Sequence, residues 1–209
     1  MSIRYGIGLA LAPAFTLRVY RARQLICGQY ASWAAEMNMV YVALTGYFEC
    51  ADSAIAGLES NLASVALRSY QESPQFPISH RGVGTSPEAI GHIFLDFNGP
   101  GISGGLNQLH GAVTEMLAGT PAVSSSVATG GEGYKPRLPL MQYAQLPSSV
   151  FGDAVEFAHA AVTDLQVPID TQAWRLLLLR FQSEAAGDDW SEGRWALDLS
   201  WELLASHPL

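Results

Sequence analysis

Two cysteines, Cys27 and Cys50, are all that this 209-residue chain contains. They are too few and too isolated for a disulfide framework or for the paired spacing of a structural metal site, so a reducing cytoplasm is the expected compartment. Charge is sparse as well: 14% of residues are charged, and 19 acidic against 11 basic side chains leave a net charge of -8. That balance excludes a broad surface for nucleic acid or an acidic membrane, because no excess of Lys and Arg can replace condensed counterions. A local basic pocket remains compatible with it. No run of about eighteen apolar residues exists, so no segment reads as a membrane span. Phosphate-loop chemistry is missing too, since Gly130-Gly131-Glu132-Gly133 is followed by neither Lys-Ser/Thr nor a helix start. No nucleophile-elbow sequence occurs.

What is present is apolar residue in quantity. At 49% hydrophobic, a chain of this length can bury a full core, as one large domain or two small lobes; the element order is read as one domain, 1–209, with approximate lobes at 1–98 and 99–209. Arg4 and the apolar run to Ala14 faintly imitate a signal peptide, but one charge and a short apolar part favour a first strand over Arg4–Leu11, closed by Pro13.

The most informative stretch is Met39–Phe48, MVYVALTGYF, because its spacing returns in Arg137-Leu138-Pro139-Leu140-Met141-Gln142-Tyr143. Tyr41, Ala43, Leu44 and Tyr47 answer there to Arg137, Pro139, Leu140 and Tyr143. Both read as strands, and period two turns Tyr41 with Ala43, and Arg137 with Pro139, to one face. Val42, Leu44, Leu138 and Leu140 take the core face.

The remaining elements repeat the order helix, strand, helix, strand, strand. In the first half, a helix over Phe15–Ala35 carries Leu17, Tyr20, Arg21, Gln24 and Leu25. A second, Asp52–Ser69, has Asp52 or Ser53 as its cap, and a hairpin joins strands near Phe76–Val83 and Ala89–Phe97 across Gly84-Thr85-Ser86-Pro87. In the second half, a helix capped by Ser103 and containing Leu106 to Leu117 precedes a Ser/Gly-rich loop, Thr120–Gly133, with Ser124-Ser125-Ser126. After the second motif strand come a helix from Ser148 or Ser149, an apolar strand Gln172–Gln182, and a last strand Arg194–Leu203 in which Trp195, Leu197, Leu199 and Trp201 alternate. The expected class is α+β: a bilobal, pseudo-symmetric duplication with two antiparallel sheets backed by helices and a central cleft.

VALTGYFE and YKPRLPLMQYA resemble the two motif strands of the two-histidine (2H) phosphoesterase superfamily, which includes 2'-5' RNA ligase-like proteins and cyclic phosphodiesterases. That family carries His-x-Thr/Ser-x on each of two strands facing a cleft, the imidazoles serving as general base and acid on a phosphodiester and the hydroxyls holding its oxygens. Here the histidine positions are Tyr41 and Arg137, and the hydroxyl positions are Ala43 and Pro139. Neither a phenol titrating near pH 10 nor a permanent guanidinium is a ready base at neutral pH. The resemblance therefore implies a catalytically altered, degenerate member, with no catalytic residue at these positions. Its cleft would bind a nucleotide, RNA end or other phosphate through Arg137, Lys135, Tyr41, Ala43, Pro139, Tyr47 and Tyr143.

Two alternatives stand beside this reading. The fold is a non-catalytic scaffold for a protein partner, or it is an active cyclic phosphodiesterase with a rebuilt site. An open pocket with Arg137 at its floor would favour ligand binding, and a cleft plugged by Tyr41 and Met141 would favour the scaffold. No cofactor or metal is expected. His80 and His92, on neighbouring strands of the expected hairpin, are too few for a zinc site. His110, His159 and His207 read as ordinary packing or surface residues.

Overall fold

The computed structural model describes residues 1–86, 89–99, 104–121, 123, 133–190 and 192–209. The expected Ser103 cap, the centre of the hairpin turn at Pro87, most of the Thr120–Gly133 loop, Ser124–Ser126 and Gly130–Glu132 lie outside the described residues. In chain order the elements are β1 (Ser2–Leu11), α1 (Pro13–Tyr30), β2 (Val42–Ala43), α2 (Ile55–Glu72), β3 (Pro77–Ser79), β4 (Val83–Ser86) and β5 (Ala89–Asp96). There follow α3 (Gly104–Ala118), β6 (Arg137–Met141), α4 (Ser148–Asp164), β7 (Asp170–Ser183) and β8 (Ser200–Pro208). The class is α+β, with two antiparallel sheets backed by helices.

One sheet runs β2-β1-β7-β3, with β8 on the far side of β7, and the other runs β4-β5-β6. Helices α2 and α3 pack against each other and the first sheet, while α1 and α4 pack against each other and the second. The expected division at 98/99 does not separate the sheets: β1 pairs along its whole length with β7, Ser2 opposite Ser183 and Leu9 opposite Leu176. Local patterning marks strands but not their distant partners, and here the partner lies in the other half of the chain.

Residue size along β1 makes room for the cleft. Tyr5, Ile7, Leu9 and Leu11 point into the main core with Leu176 and Leu178 of β7. Each such side chain contributes about 1.5–3 kcal/mol by leaving water. The opposite face of β1 carries Gly6, Gly8 and Ala10, beside Leu177, Leu179 and Phe181 of β7, which join a second apolar cluster. Both faces of β7 are thus covered, which accounts for its unbroken apolar run. A methyl group on Gly8 would sit 2.3 Å from the Tyr41 ring, so the missing side chain is what lets that ring lie on the sheet.

Several expected elements changed in register or kind. The strand 39–48 is reduced to β2 and an isolated Tyr5–Phe48 bridge. Leu44 and Thr45 both donate to Ile7 O, and Thr45 Oγ1 takes the Ile7 N–H in place of a backbone carbonyl. Two residues against one break the ladder, as in a bulge. The expected strand 76–83 divides between the sheets as β3 and β4, and His80 pins the crossing: Nε2 donates to Pro168 O at 2.9 Å and Nδ1 accepts from Gly82 N–H at 2.9 Å.

Helix α1 ends at Tyr30, where Ala31 takes the left-handed conformation. Its buried stripe is Phe15, Val19, Ala22, Arg23 and Ile26, whereas Leu17, Tyr20 and Leu25 are exposed. No side-chain cap precedes α2, because Asp52–Ala54 forms a 3-10 turn ahead of it. In place of the expected last strand 194–203, Arg194–Leu197 is a 3-10 turn that buries Trp195 and leaves Leu197 exposed, and β8 begins only at Ser200.

Candidate functional site

The two sheets face each other across a cleft of about 720 Å³, lined from the first by Arg4, Gly6, Tyr41, Ala43, Thr45 and Tyr47 and from the second by His92, Phe94, Arg137, Pro139 and Met141. Lys135, Gln142, Tyr143 and Arg23 complete its walls with Trp190 and Trp195. All seven residues singled out from the sequence line this one cleft. The alternation that placed them holds: Val42, Leu44, Leu138 and Leu140 are buried, while Tyr41, Arg137 and Pro139 are half-buried and Ala43 is exposed.

Electrostatically the cleft inverts the whole chain. Among the described residues, Arg4, Arg23, Lys135 and Arg137 line it against a single carboxylate, Glu49, in a protein with 11 basic and 19 acidic residues. Lys135 is the only lysine of the sequence. Glu49 forms an ion pair with Arg4, whose guanidinium lies 5.9 Å from the Trp190 ring centre. The Arg137 guanidinium stacks on Phe94 at 4.3 Å, which orients its fork on the strand.

Rings supply the remaining surface. Tyr47 meets Phe181, Trp190 and Trp195 edge-on at 5.0, 4.9 and 5.8 Å. Tyr143, in the left-handed conformation, packs edge-on against Trp195 at 5.5 Å and His92 at 4.5 Å. Trp195 therefore touches a ring from each motif segment and ties the two walls together. Gly193, itself left-handed, leaves space for Tyr143, since a methyl group there would lie 2.4 Å from the ring.

Protonation in the cleft follows burial. Desolvation raises the Tyr41 phenol above its ordinary range, with Arg23 opposing it, and raises Tyr47 well above. Burial, assisted by the Arg137 charge, pulls His92 down to about 4.

His92 lends itself to a direct test. Its folded value lies below the 6.5 of an unfolded histidine, so the unfolded chain binds the proton more readily. The stability this site contributes is complete above pH 6.5 and is lost as pH falls through about 4. A proton NMR titration is expected to give a His92 midpoint near 4, moving upward in Arg137→Ala; a midpoint near 6.5 would contradict the buried placement.

Sequence reasoning overlooked Arg23, Arg4, His92, Phe94, Trp190 and Trp195. Arg23 was detectable, because it stands at helical spacing among Val19, Ala22 and Ile26. His92 and Phe94 alternate with the buried Ile93 and Leu95. The two tryptophans sit in 3-10 turns, and the period-two alternation around Trp195 pointed to a strand instead. His80 and His92 do not form a pair: His80 packs at an angle against Phe15 and edge-on against Phe97, away from the cleft-lining His92.

No family model matches the chain, and no curated protein sequence does. Solved structures do. Escherichia coli LigT complexed with 3'-AMP superposes with a TM-score of 0.61 at 13% identity, covering 99% of this chain and 97% of that one. The chain has the LigT fold. The apo form of LigT gives a TM-score of 0.57 at 13% identity over 100% and 99% of the two chains, and a protein described as a phosphoesterase gives 0.58 at 11% over 100% and 99%. The LigT fold agrees with the 2H phosphoesterase resemblance carried by the two motif segments.

Proposed function

We propose that this protein binds a nucleotide, RNA end or other phosphate-bearing ligand in the cleft of its LigT fold and does not hydrolyse it. The observation that carries this reading is the inverted charge of the cleft: among the described residues four cations and one carboxylate line it, within an acidic chain. Guanidinium and ammonium groups beside the half-buried rings of Tyr41, Tyr47 and Tyr143 suit a phosphate with an attached base. LigT itself has been crystallised with 3'-AMP, phosphate, ATP and NADP+, which supports the same ligand class here.

Absence of turnover follows from the residues at the motif positions. A phenol raised by burial does not take a proton near pH 7, and neither Ala43 nor Pro139 has a side-chain donor for a developing charge. The alternative scaffold reading called for a cleft plugged by Tyr41 and Met141; Met141 is buried, yet the cleft remains about 720 Å³. Incubation with 2',3'-cyclic AMP, followed by chromatography, is expected to show no hydrolysis above background. Turnover abolished by Arg137→Ala would overturn the non-catalytic reading, and turnover surviving that change would place chemistry elsewhere in the chain. The companion quadruple variant Tyr41→His, Ala43→Thr, Arg137→His, Pro139→Thr asks whether the surrounding cleft can still support the family's chemistry.

A further inference from the structure

Arg23 is only 1% exposed, and all its hydrogen-bond acceptors are neutral. Nε and one Nη2 proton go to Pro139 O at 3.1 and 2.8 Å, and Nη1 donates to Ala35 O and Asn38 O at 2.9 Å, with Met39 O at 3.3 Å. These bonds satisfy four of the five N–H groups of a guanidinium. They bring no negative charge into contact with it. Among the described residues no carboxylate forms an ion pair with it; Glu36 acts on it through space, and Glu36 Oε1 is buried without a hydrogen-bond partner. A buried cation without a counterion is unfavourable unless something supplies negative charge. Arg23 is itself part of the cleft lining.

We propose that Arg23 makes the cleft select a phosphomonoester dianion over a phosphodiester monoanion, an inference that rests on the phosphate-binding reading above. Among the described residues the cleft lining holds Arg4, Arg23, Lys135 and Arg137 with Glu49, and Glu49 is paired with Arg4, so Arg23 adds its charge to a lining richer in cations than in carboxylates. A phosphomonoester carries about 1.5–2 negative charges at neutral pH, whereas a cyclic diester carries one. The additional charge falls in the field of cations that a low-dielectric wall screens poorly. Arg23 acts here as a positioning and selecting charge held behind the cleft surface, and the carbonyl clamp keeps it from relaxing toward solvent. Glu36 opposes it, so removing that carboxylate strengthens the same field.

The experiment is isothermal calorimetry at pH 7.5 with 3'-AMP and 2',3'-cyclic AMP on the intact wild type, Arg23→Lys, Arg23→Gln and Glu36→Gln. Wild type is expected to favour 3'-AMP by about tenfold. Arg23→Lys, which keeps the charge and loses most of the clamp, retains the preference. Arg23→Gln, which keeps two donors and loses the charge, erases it, and Glu36→Gln widens it severalfold. Equal affinity of wild type for the two nucleotides overturns the inference and leaves the cleft reading standing, while binding of neither removes both. Where Arg23→Gln does not fold, Glu36→Gln decides: a widened preference supports the assignment and an unchanged one overturns it.

Discussion

Arg137→Ala is expected to weaken AMP binding by about ten- to a hundredfold, the loss that corresponds to one charge-assisted hydrogen bond of roughly 1.5–3 kcal/mol. Three features concentrate the effect on this residue. It projects from β6, whose register against β5 places Asp96 opposite it and Phe94 beside it; the Phe94 ring carries its guanidinium at 4.3 Å; and the neighbouring Pro139 fixes the strand backbone without offering a donor of its own. Arg137→Lys keeps the charge and loses the fork and the stacking, so its affinity is expected to fall between those of wild type and Arg137→Ala. Calorimetry on the three proteins checks the order. Equal affinities across the series would remove Arg137 from the site.

Gly91→Ala is expected to reduce stability by about 3–5 kcal/mol. Gly91 adopts φ +76°, and a methyl group there would lie 2.3 Å from Ala144 O and 2.8 Å from Ala144 N. Both atoms are backbone and the same residue donates Ala144 N–H to Gly91 O at 3.1 Å, so relief requires pulling the end of β6 away from β5. The left-handed conformation alone accounts for about 1–2 kcal/mol of the cost, and the displaced pairing for the rest. A fall in thermal midpoint of roughly 6–20 °C is the corresponding observable. Gly57→Ala, in α2 where nothing lies within 4 Å of the added carbon, provides the contrast: helix propensity predicts a small gain of about 0.5–1 kcal/mol. Indistinguishable melting of Gly91→Ala and wild type would contradict the close approach of the Ala144 backbone to β5.

The sequence exposed what depends on period. Tyr41 and Ala43 turn one way and Val42 and Leu44 the other because a pleated backbone alternates whether or not its ladder is complete; the bulge at Thr45 shortened β2 without disturbing that alternation. The unbroken run of β7 was equally legible. What escaped reading depends on contacts between distant residues. Nothing in the neighbourhood of Arg23 announces that Ala35, Asn38 and Pro139 will turn their carbonyls toward it. The face of α1 was misread because Leu17, Tyr20 and Leu25 are apolar but exposed, and apolar residues on a surface are ordinary. Trp195 alternates with Leu197 in sequence, but the left-handed Gly193 starts a 3-10 turn there and sends the two side chains to opposite environments.

The pairing of β1 with β7 constrains how the chain acquires its shape during synthesis. Residues 2–11 find their long antiparallel neighbour only when residues 173–183 have left the ribosome, and α1 meets the sheet it covers only after β6 exists. Until then the first strand has only β2 and the Phe48 bridge beside it, and its long β7 edge stays open while synthesis proceeds at about 5–20 residues per second. For a protein this long, that interval is of the order of ten seconds or more, and it is the period in which holdase chaperones and aggregation compete for the same strand.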